Sequence, residues 1–309
     1  MSEKAISIII PVFNCKKYFK QCIDSVRNQS LKNIEIIVID DCSTDEDYCK
    51  AVAQLQDDRF KFIQNKTPLG SGVSRNRGLE CATGTFVAFL DADDFYPDPE
   101  SLRILYEIAI RENLNICGGS LFIIDSKSEI TNKTFPGQYF LHDGKIKYKD
   151  YQHDGGFYRF IYKRKFLLQH HLAFPAFKRM QDPVFFVKSM LAAEYFYAVD
   201  MYVYAYRKNH KKLLWDEQKT LDHYFAIKEI LSISDENNLA HLHYLMTKNF
   251  YHFSIKNLHH IKGIKKRLRI VRSIIQSINF KLLKKKWPED SESFNLLKLI
   301  PIYLLSFTR

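Results

Sequence analysis

The stretch Phe86-Val-Ala-Phe-Leu-Asp-Ala-Asp-Asp94 joins a buried-strand pattern to an abrupt cluster of acids. Its five leading apolar residues, preceded by the turn pair Thr83-Gly84, predict a strand that is buried on both faces. Three carboxylates then occur within four positions, and no basic residue lies beside them in the sequence. Open α/β sheets bind ligands just beyond the carboxyl ends of their strands. Magnesium and manganese both prefer hard oxygen ligands. The stretch therefore predicts a site for one of these divalent cations.

The first 94 residues alternate strand and helix patterns four times. Aliphatic and β-branched runs predict three further strands at Ile6–Ile10, Ile34–Ile39 and Phe60–Ile63. Helical patterns separate these strands, and the glycine-rich turn Leu69–Gly78 opens the last of these helices. Such an order predicts an α/β fold whose mostly parallel, Rossmann-like sheet is flanked by helices through right-handed crossovers.

The strand signals become sparser after the acidic cluster and then stop. Further strands are predicted at Ile116–Ile124 and Tyr195–Tyr206, and helices near Lys163–His170 and from Met180 onward. From about residue 215 the pattern is wholly helical. We therefore predict an α/β domain over residues 1–212 and a helical extension over residues 213–309.

The charge of the chain is concentrated at its C-terminal end. The 309 residues carry a net charge of +11, and residues 241–309 alone hold 14 lysines and arginines against 3 acids. We expect no secretory signal and no membrane-spanning helix, because no apolar run approaches about 18 residues. The six cysteines form no Cys-x-x-Cys pair, which favours reduced thiols in a cytosolic protein.

The basic tail has an amphipathic pattern. Apolar residues at helical spacing alternate with lysines and arginines; they are Leu268, Val271, Ile275, Ile278 and Leu282. A second apolar stretch follows at Phe294–Phe307. Three interpretations remain open: packing on the catalytic domain, pairing with a second subunit as a homo-oligomer, or binding to an anionic membrane surface. Nucleic acid is not an expected partner, because no aromatic residues are interleaved with the charges.

Five short motifs occur in one order over two-thirds of the chain. They are Pro11-Val-Phe-Asn14, Asp40-Asp41-Cys-Ser43, Gly72-Val-Ser-Arg-Asn76, Asp91-Ala-Asp93 and Gln181-Asp182. Taken alone, the Asp-x-Asp (DXD) motif is more often a solvated acidic turn. Together the five resemble the motifs of family 2 glycosyltransferases, which have the A-type nucleotide-sugar-binding fold. This resemblance implies that residues 1–212 bind a nucleotide-sugar donor, and that the protein acts on bacterial surface glycans.

The resemblance implies roles for individual residues. Donor-pocket residues would be Pro11, Val12, Phe13, Asn14, Asp41, Gly72, Arg75, Asp91, Ala92 and Asp93. The Asp41 carboxylate would accept a hydrogen bond from a uracil imide or ribose hydroxyl, and Arg75 would bind phosphate. Asp93 would bind the metal directly, while Asp91 would act through its water shell or on the ribose. The alternatives are a helix-capping turn at Asp40-Asp41 and a surface arginine at position 75.

Two further sites follow from the same resemblance. Asp182 would be the catalytic base that removes the proton of the acceptor hydroxyl, and the alternative is an ordinary carboxylate at the N-terminus of a helix. The family more often has Glu-Asp there, so Gln181 puts an acidic partner of Asp182 in doubt. Arg207 and His210 fall where many relatives have a loop that closes over the donor phosphates. His210 is thus a candidate ligand of metal or phosphate, with a solvated basic loop as the alternative.

The implied function is an inverting, metal-dependent hexosyl- or N-acetylhexosaminyltransferase. It would move a sugar from a UDP-sugar to a hydroxyl of a glycan or lipid-linked glycan in lipooligosaccharide or capsule biosynthesis. The implied location is cytoplasmic, peripheral on the inner membrane. A catalytically inactive scaffold partner is the alternative. A phospho-accepting receiver domain is disfavoured, because Phe60–Ile63 leads into Gln64-Asn65-Lys66 without an aspartate.

Overall fold

One eight-stranded mixed sheet forms the centre of the computed structural model, which describes residues 3–131, 137–208, 214–284 and 302. Its strands are β1 (Ile6–Val12), β2 (Ile34–Asp40), β3 (Phe60–Gln64), β4 (Phe86–Phe89), β5 (Ile116–Ile124), β6 (Gly144–Lys147), β7 (Phe160–Lys163) and β8 (Tyr195–Arg207). Their spatial order is β3-β2-β1-β4-β7-β5-β8-β6. Four neighbouring pairs are parallel and three are antiparallel. The predicted α/β fold with a mostly parallel sheet is therefore confirmed.

Ten α-helices occur in the described parts of the chain. They are α1 (Lys16–Arg27), α2 (Tyr48–Ala53), α3 (Ser71–Cys81), α4 (Ser101–Arg111), α5 (Tyr148–Tyr151), α6 (Arg164–Gln169), α7 (Gln181–Ala193), α8 (Glu217–Glu236), α9 (Ala240–Asn257) and α10 (Ile264–Gln276). Within these described ranges, no helix combines the length and the apolar character needed to cross a membrane.

The chain divides into two units. The first comprises residues 1–151, 155–176 and 188–212, and the second comprises 152–154, 177–187 and 213–309. The sequence had placed residues 152–154 and 177–187 in the first domain. In the second unit, the Gln152 side chain accepts a hydrogen bond from the backbone N–H of His241, and the backbone N–H of Lys178 donates to Asp222. These bonds connect both short segments to α8 and α9.

The parallel half of the sheet follows directly from the hydrophobic runs. Every residue of β2 and β4 is buried, as expected for strands covered on both faces. Helix α3 packs closely against β1 and β2 at Gly78, where a Cβ atom would lie 2.4 Å from a methyl group of Ile9. A glycine is needed at this contact because no other residue leaves enough space.

The antiparallel strand β7 was not predicted. It lies between β4 and β5, where its register pairs Ile161 with Ala88 and with Cys117. The sequence suggested a helix near Lys163–His170, and α6 does occupy residues 164–169. Strand β7 has only four residues, which is too short to show a clear alternating pattern.

Two helices show features that the sequence analysis did not indicate. Helix α2 begins after the cap Asp47, whose side chain accepts a hydrogen bond from the backbone N–H of Lys50. Helix α10 buries Arg267, Val271 and Ile274. Of the predicted apolar series, Val271 and Ile278 are buried, whereas Leu268 and Ile275 are half-buried. All six cysteines are free thiols, as predicted.

A buried carboxylate joins three elements of the first unit. Glu35 in β2 accepts hydrogen bonds from the Ser7 hydroxyl at 2.5 Å, from Lys61 at 2.6 Å and from the backbone and hydroxyl of Thr83. Burial alone would raise the pKa of Glu35, but these hydrogen bonds lower it to about 2. The charged form of Glu35 therefore stabilises the sheet.

We expect Glu35→Gln to reduce the free energy of unfolding by about 2 kcal/mol near neutral pH, because a charged, buried acceptor is lost. The folded pKa lies below the unfolded value, so this stabilisation is present above about pH 4.5 and is lost as pH falls toward 2. Urea unfolding at several pH values should show the two proteins converging in acid. The exposed Glu107→Gln serves as control; a difference that stays constant with pH would contradict the assignment.

Candidate functional site

Three carboxylates form a cluster at the carboxyl end of β4. One oxygen from each of Asp91, Asp93 and Asp94 lies within 4.8 Å of the others. Asp91 and Asp93 are half-buried, whereas Asp94 is only 2% exposed. The structure thus brings together the acids that the sequence singled out, at the edge where α/β sheets bind ligands.

Asp94 is engaged inside the protein. It accepts hydrogen bonds from the Tyr204 hydroxyl at 2.8 Å and from the backbone N–H of Arg207 at 2.6 Å. Burial, together with the negative charges of Asp93 and Asp91, raises the pKa of Asp94 well above its usual range. Asp94 therefore anchors the acidic turn to β8, which leaves Asp91 and Asp93 as the candidate ligands.

Arg207 is a buried structural residue. Its Nε donates to the backbone oxygen of Asp93 at 2.8 Å, and its Nη2 donates to Gln21 at 2.6 Å. The guanidinium also lies over the ring of Tyr18, 4.3 Å from its centre. The resemblance suggested a loop over donor phosphates at this position, but Arg207 belongs to β8 and supports the acidic turn. His210 lies outside the described residues.

Arg75 is paired with the first acid of the cluster. Its Nη2 lies 2.6 Å from Oδ1 of Asp91, and its side chain is almost fully buried. The guanidinium lies over two aromatic rings, at 4.8 Å from the centre of Phe157 and 5.2 Å from that of Phe174. Arg75 is therefore not a surface arginine, and its direct structural effect is to orient Asp91.

Asp41 holds the glycine turn that opens α3. Its two oxygens accept hydrogen bonds from the backbone N–H groups of Leu69 and Gly70, both at 2.8 Å, and from Asn65 at 2.6 Å. Gly70 has a φ of +89°, which glycine adopts readily. A contact between Asp41 and a nucleotide-sugar donor would add to these hydrogen bonds.

Asp40 closes the turn after β2 and is not the cap of a helix, because α2 begins after Asp47. Its Oδ1 accepts the backbone N–H of Ser43 at 3.0 Å, and its Oδ2 accepts from Gln64 at 2.9 Å. It is buried, and these bonds close the turn that follows β2.

The segment after β1 lies beside this turn. Asn14 accepts a hydrogen bond from the backbone N–H of Thr44 at 2.8 Å, and Phe13 is 50% exposed. Pro11 is half-buried, whereas the side chain of Val12 is buried. Among the predicted donor-pocket residues, Gly72 and Ala92 are also buried. Phe13 and Asn14 therefore present the accessible side chains of this group.

The predicted base lies in the second unit. Asp182 is in the first turn of α7, next to Gln181, which is 6% exposed. Burial and the charge of Asp182 together raise the pKa of the Asp154 carboxyl to about 6, although the backbone N–H of Asp154 lowers it. The sequence did not single out Asp154. A second acid therefore lies near Asp182, in a segment that is distant from it along the chain.

Other supporting residues were also missed by the sequence analysis. They are Gln21, Asn65, Phe157, Phe174 and Tyr204. Each acts on a motif residue from a distant position, and polar or aromatic residues of these types are common without such a role. Only the placement of Asn65 directly after β3 offered a local signal, because that strand ends at the same edge as β2.

The family model described as Glycosyl transferase family 2 matches residues 7–170. The chain therefore belongs to glycosyltransferase family 2, as the five motifs predicted. The putative glycosyltransferase EpsH of Bacillus subtilis strain 168 is 29% identical over 239 residues, which cover 72% of this chain and 66% of EpsH.

Two further similarities concern proteins whose names or titles mention a sugar donor. The Escherichia coli protein WfgD, named UDP-Glc:alpha-D-GlcNAc-diphosphoundecaprenol beta-1,3-glucosyltransferase, is 33% identical over 128 residues, covering 41% of this chain and 50% of WfgD. The chain thus spans less than two thirds of either EpsH or WfgD. The crystal structure of S. aureus TarS 1-349 in complex with UDP-GlcNAc matches with a TM-score of 0.72 and 19% identity, over 90% of this chain and 82% of the TarS 1-349 chain. This likeness shows that the two share the A-type fold.

We expect Arg75→Gln to lower the free energy of unfolding by about 3 kcal/mol, because it leaves Asp91 without its buried partner. The double variant with Asp91→Asn should lose less than the sum of the two single changes. Denaturant unfolding of the four proteins measures this coupling, with the exposed Arg111→Gln as control. Strict additivity would show that the pair contributes nothing.

Proposed function

We propose that the protein is an inverting glycosyltransferase that moves a sugar from a UDP-sugar to a hydroxyl group of a glycan. The observation that carries the proposal is the half-buried pair Asp91 and Asp93 at the end of β4, in a chain of this family. Carboxylates at that edge can act on a nucleoside diphosphate through a divalent cation. The proposed sugar is a hexose or an N-acetylhexosamine.

The acidic cluster fits a magnesium or manganese ion. It offers carboxylate oxygens within 4.8 Å of one another, and hard oxygen ligands are the ones these ions prefer. Asp93 would be the direct ligand, and Asp91, held by Arg75, would bind directly or through water. When bound, the ion supplies positive charge that stabilises the diphosphate leaving group. His210 remains a weaker candidate from the sequence alone.

The nucleotide pocket is proposed at the loops after β1 and β2 and at the start of α3. Phe13 offers an exposed ring and Asn14 a polar side chain, while Asp41 would accept from the base or ribose. The N-terminus of α3 follows Gly70, and a helix N-terminus suits negative charge on a phosphate. A UDP donor is supported by the names of WfgD and of the TarS complex.

Asp182 is proposed as the base that accepts the proton of the acceptor hydroxyl as it attacks the sugar. Asp154 is proposed as the acidic partner that Gln181 cannot provide, because burial and the charge of Asp182 raise its pKa to about 6. Only a minority of Asp154 carboxyls is then protonated at neutral pH, and this fraction grows as the pH falls through about 6. A protonated Asp154 can donate a hydrogen bond to the acceptor or to Asp182.

The proposed acceptor is a lipid-linked glycan. This is supported by the name of WfgD, which gives a diphosphoundecaprenol-linked GlcNAc as its acceptor. Such an acceptor would place the reaction in the synthesis of a surface glycan such as lipooligosaccharide or capsule. The protein would then act in the cytoplasm, bound peripherally to the inner face of the inner membrane.

We expect UDP, but not GDP, CDP or ADP, to raise the melting temperature of the protein when manganese is present. The shift should be lost with EDTA. Ligand binding to the folded state stabilises by about 2.7 kcal/mol at a hundredfold excess over Kd. Asp93→Ala should abolish the shift and the transfer activity, whereas the exposed Asp58→Ala should retain both. No shift with any nucleotide would favour the inactive scaffold partner.

We expect Asp182→Asn to lower kcat by about a thousandfold while leaving the UDP-induced melting shift intact, because the proton acceptor is lost but the donor pocket is not. Steady-state kinetics and the thermal-shift assay separate the two effects. The exposed Glu236→Gln in the same unit is the control. Normal turnover in Asp182→Asn would rule out the assigned base.

A further inference from the structure

A groove of about 300 Å³ lies between α8 and α10 in the second unit. We name it the α8–α10 groove. Its apolar walls are formed by Leu221, Tyr224, Phe225, Ile270 and Ile274. Leu221 and Phe225 lie four residues apart on α8, as do Ile270 and Ile274 on α10, so each helix turns one apolar stripe toward the groove.

Phe225 shows that these walls are not simply part of the core. Its side chain is 48% exposed, whereas Tyr224 and Ile274 are almost fully buried. Water therefore contacts the ring of Phe225 and the half-buried Ile270, and the buried residues lie behind them. Exposed apolar surfaces, when rimmed by polar residues, are typical of binding sites.

Three cations form the rim of the groove. They are Lys228 on α8 and Lys266 and Arg269 on α10, all with exposed side chains. Lys228 donates to the Ser273 hydroxyl at 2.6 Å, and Lys266 pairs with Glu217 at 2.8 Å. Among the described residues that line the groove, none is acidic. The rim thus carries a net positive charge, directly beside an apolar surface.

We propose that the α8–α10 groove binds one anionic phospholipid, with an acyl chain along Phe225 and Ile270 and the phosphate at Lys228 and Arg269. The combination of charge and apolar wall carries this choice of occupant. A soluble anion would use the cations but not the exposed ring, and a neutral apolar partner would not use the cations. The inference rests on the proposed function, because a lipid-linked acceptor is held in a membrane and a lipid site would bring the second unit to that membrane.

If the groove is a lipid site, a substitution inside the groove should weaken lipid binding more than the same change of charge or apolar surface outside it. Arg272 is also exposed on α10 but does not line the groove, and Ile255 on α9 is an exposed apolar residue outside it. These residues provide matched controls for Arg269 and Phe225. Each pair compares the same kind of change inside and outside the groove.

The test is co-sedimentation of the 309-residue chain with phosphatidylcholine vesicles, with and without phosphatidylglycerol. We expect binding only when phosphatidylglycerol is present. Arg269→Glu and Phe225→Ser should each weaken it by about tenfold or more, while Arg272→Glu and Ile255→Ser should each change it by less than about threefold. All four positions are exposed, so melting temperatures should stay close to that of the unchanged protein.

Several outcomes would overturn the proposal. Equal losses in Arg269→Glu and Arg272→Glu would mean diffuse electrostatic attraction without a lipid site. Absence of binding to phosphatidylglycerol vesicles would remove the membrane role, and a dimer that Phe225→Ser dissociates would assign the groove to a second copy of the chain. The UDP-induced melting shift should be unchanged in all variants. Its loss from the unchanged protein would concern the proposed function and not the groove.

Discussion

Repulsion between three neighbouring carboxylates is the constraint on which the rest of the first unit depends. The protein offsets this repulsion with hydrogen bonds. Tyr204 and the backbone N–H of Arg207 donate to Asp94, and the Arg207 guanidinium donates to the backbone oxygen of Asp93. One acid is thereby fixed in the interior, where burial favours its neutral form. The other two remain half-buried and can bind a cation. Two residues of β8, Tyr204 and Arg207, thus hold the acidic turn that follows β4.

The same arrangement recurs at the other loops of this edge. Arg75, whose guanidinium lies over two aromatic rings, fixes Asp91. Asp41 fixes the glycine turn before α3 by accepting hydrogen bonds from the backbone of Leu69 and Gly70. Asp41, Asp91 and Asp94 are therefore each held by a buried partner before any ligand arrives. Preorganised polar groups of this kind lose little entropy when a charged ligand binds. These loops of the first unit consequently form a preorganised candidate donor site at the edge of the sheet.

The second unit contributes different chemistry. It carries the Asp154 and Asp182 pair and the basic helix α10, whose exposed cations flank an apolar groove. The sequence left three interpretations of this tail open. Because α10 buries Arg267 and Val271 while Arg269 and Lys266 stay exposed, it is a packed helix that still presents cations to solvent. Packing within the protein and binding to a membrane surface are thus compatible and not exclusive.

The sequence by itself determined the parallel half of the sheet and the position of the acidic cluster, because hydrophobic runs and strand-end motifs are local patterns. Only the tertiary structure decided which acid is anchored, since Asp94 meets Tyr204 across 110 residues of chain. The short antiparallel strand β7, the pairing of Arg75 with Asp91 and the inclusion of residues 177–187 in the second unit likewise needed the folded chain. These features depend on contacts between segments that are distant in sequence, and such contacts leave no periodic signal in either segment.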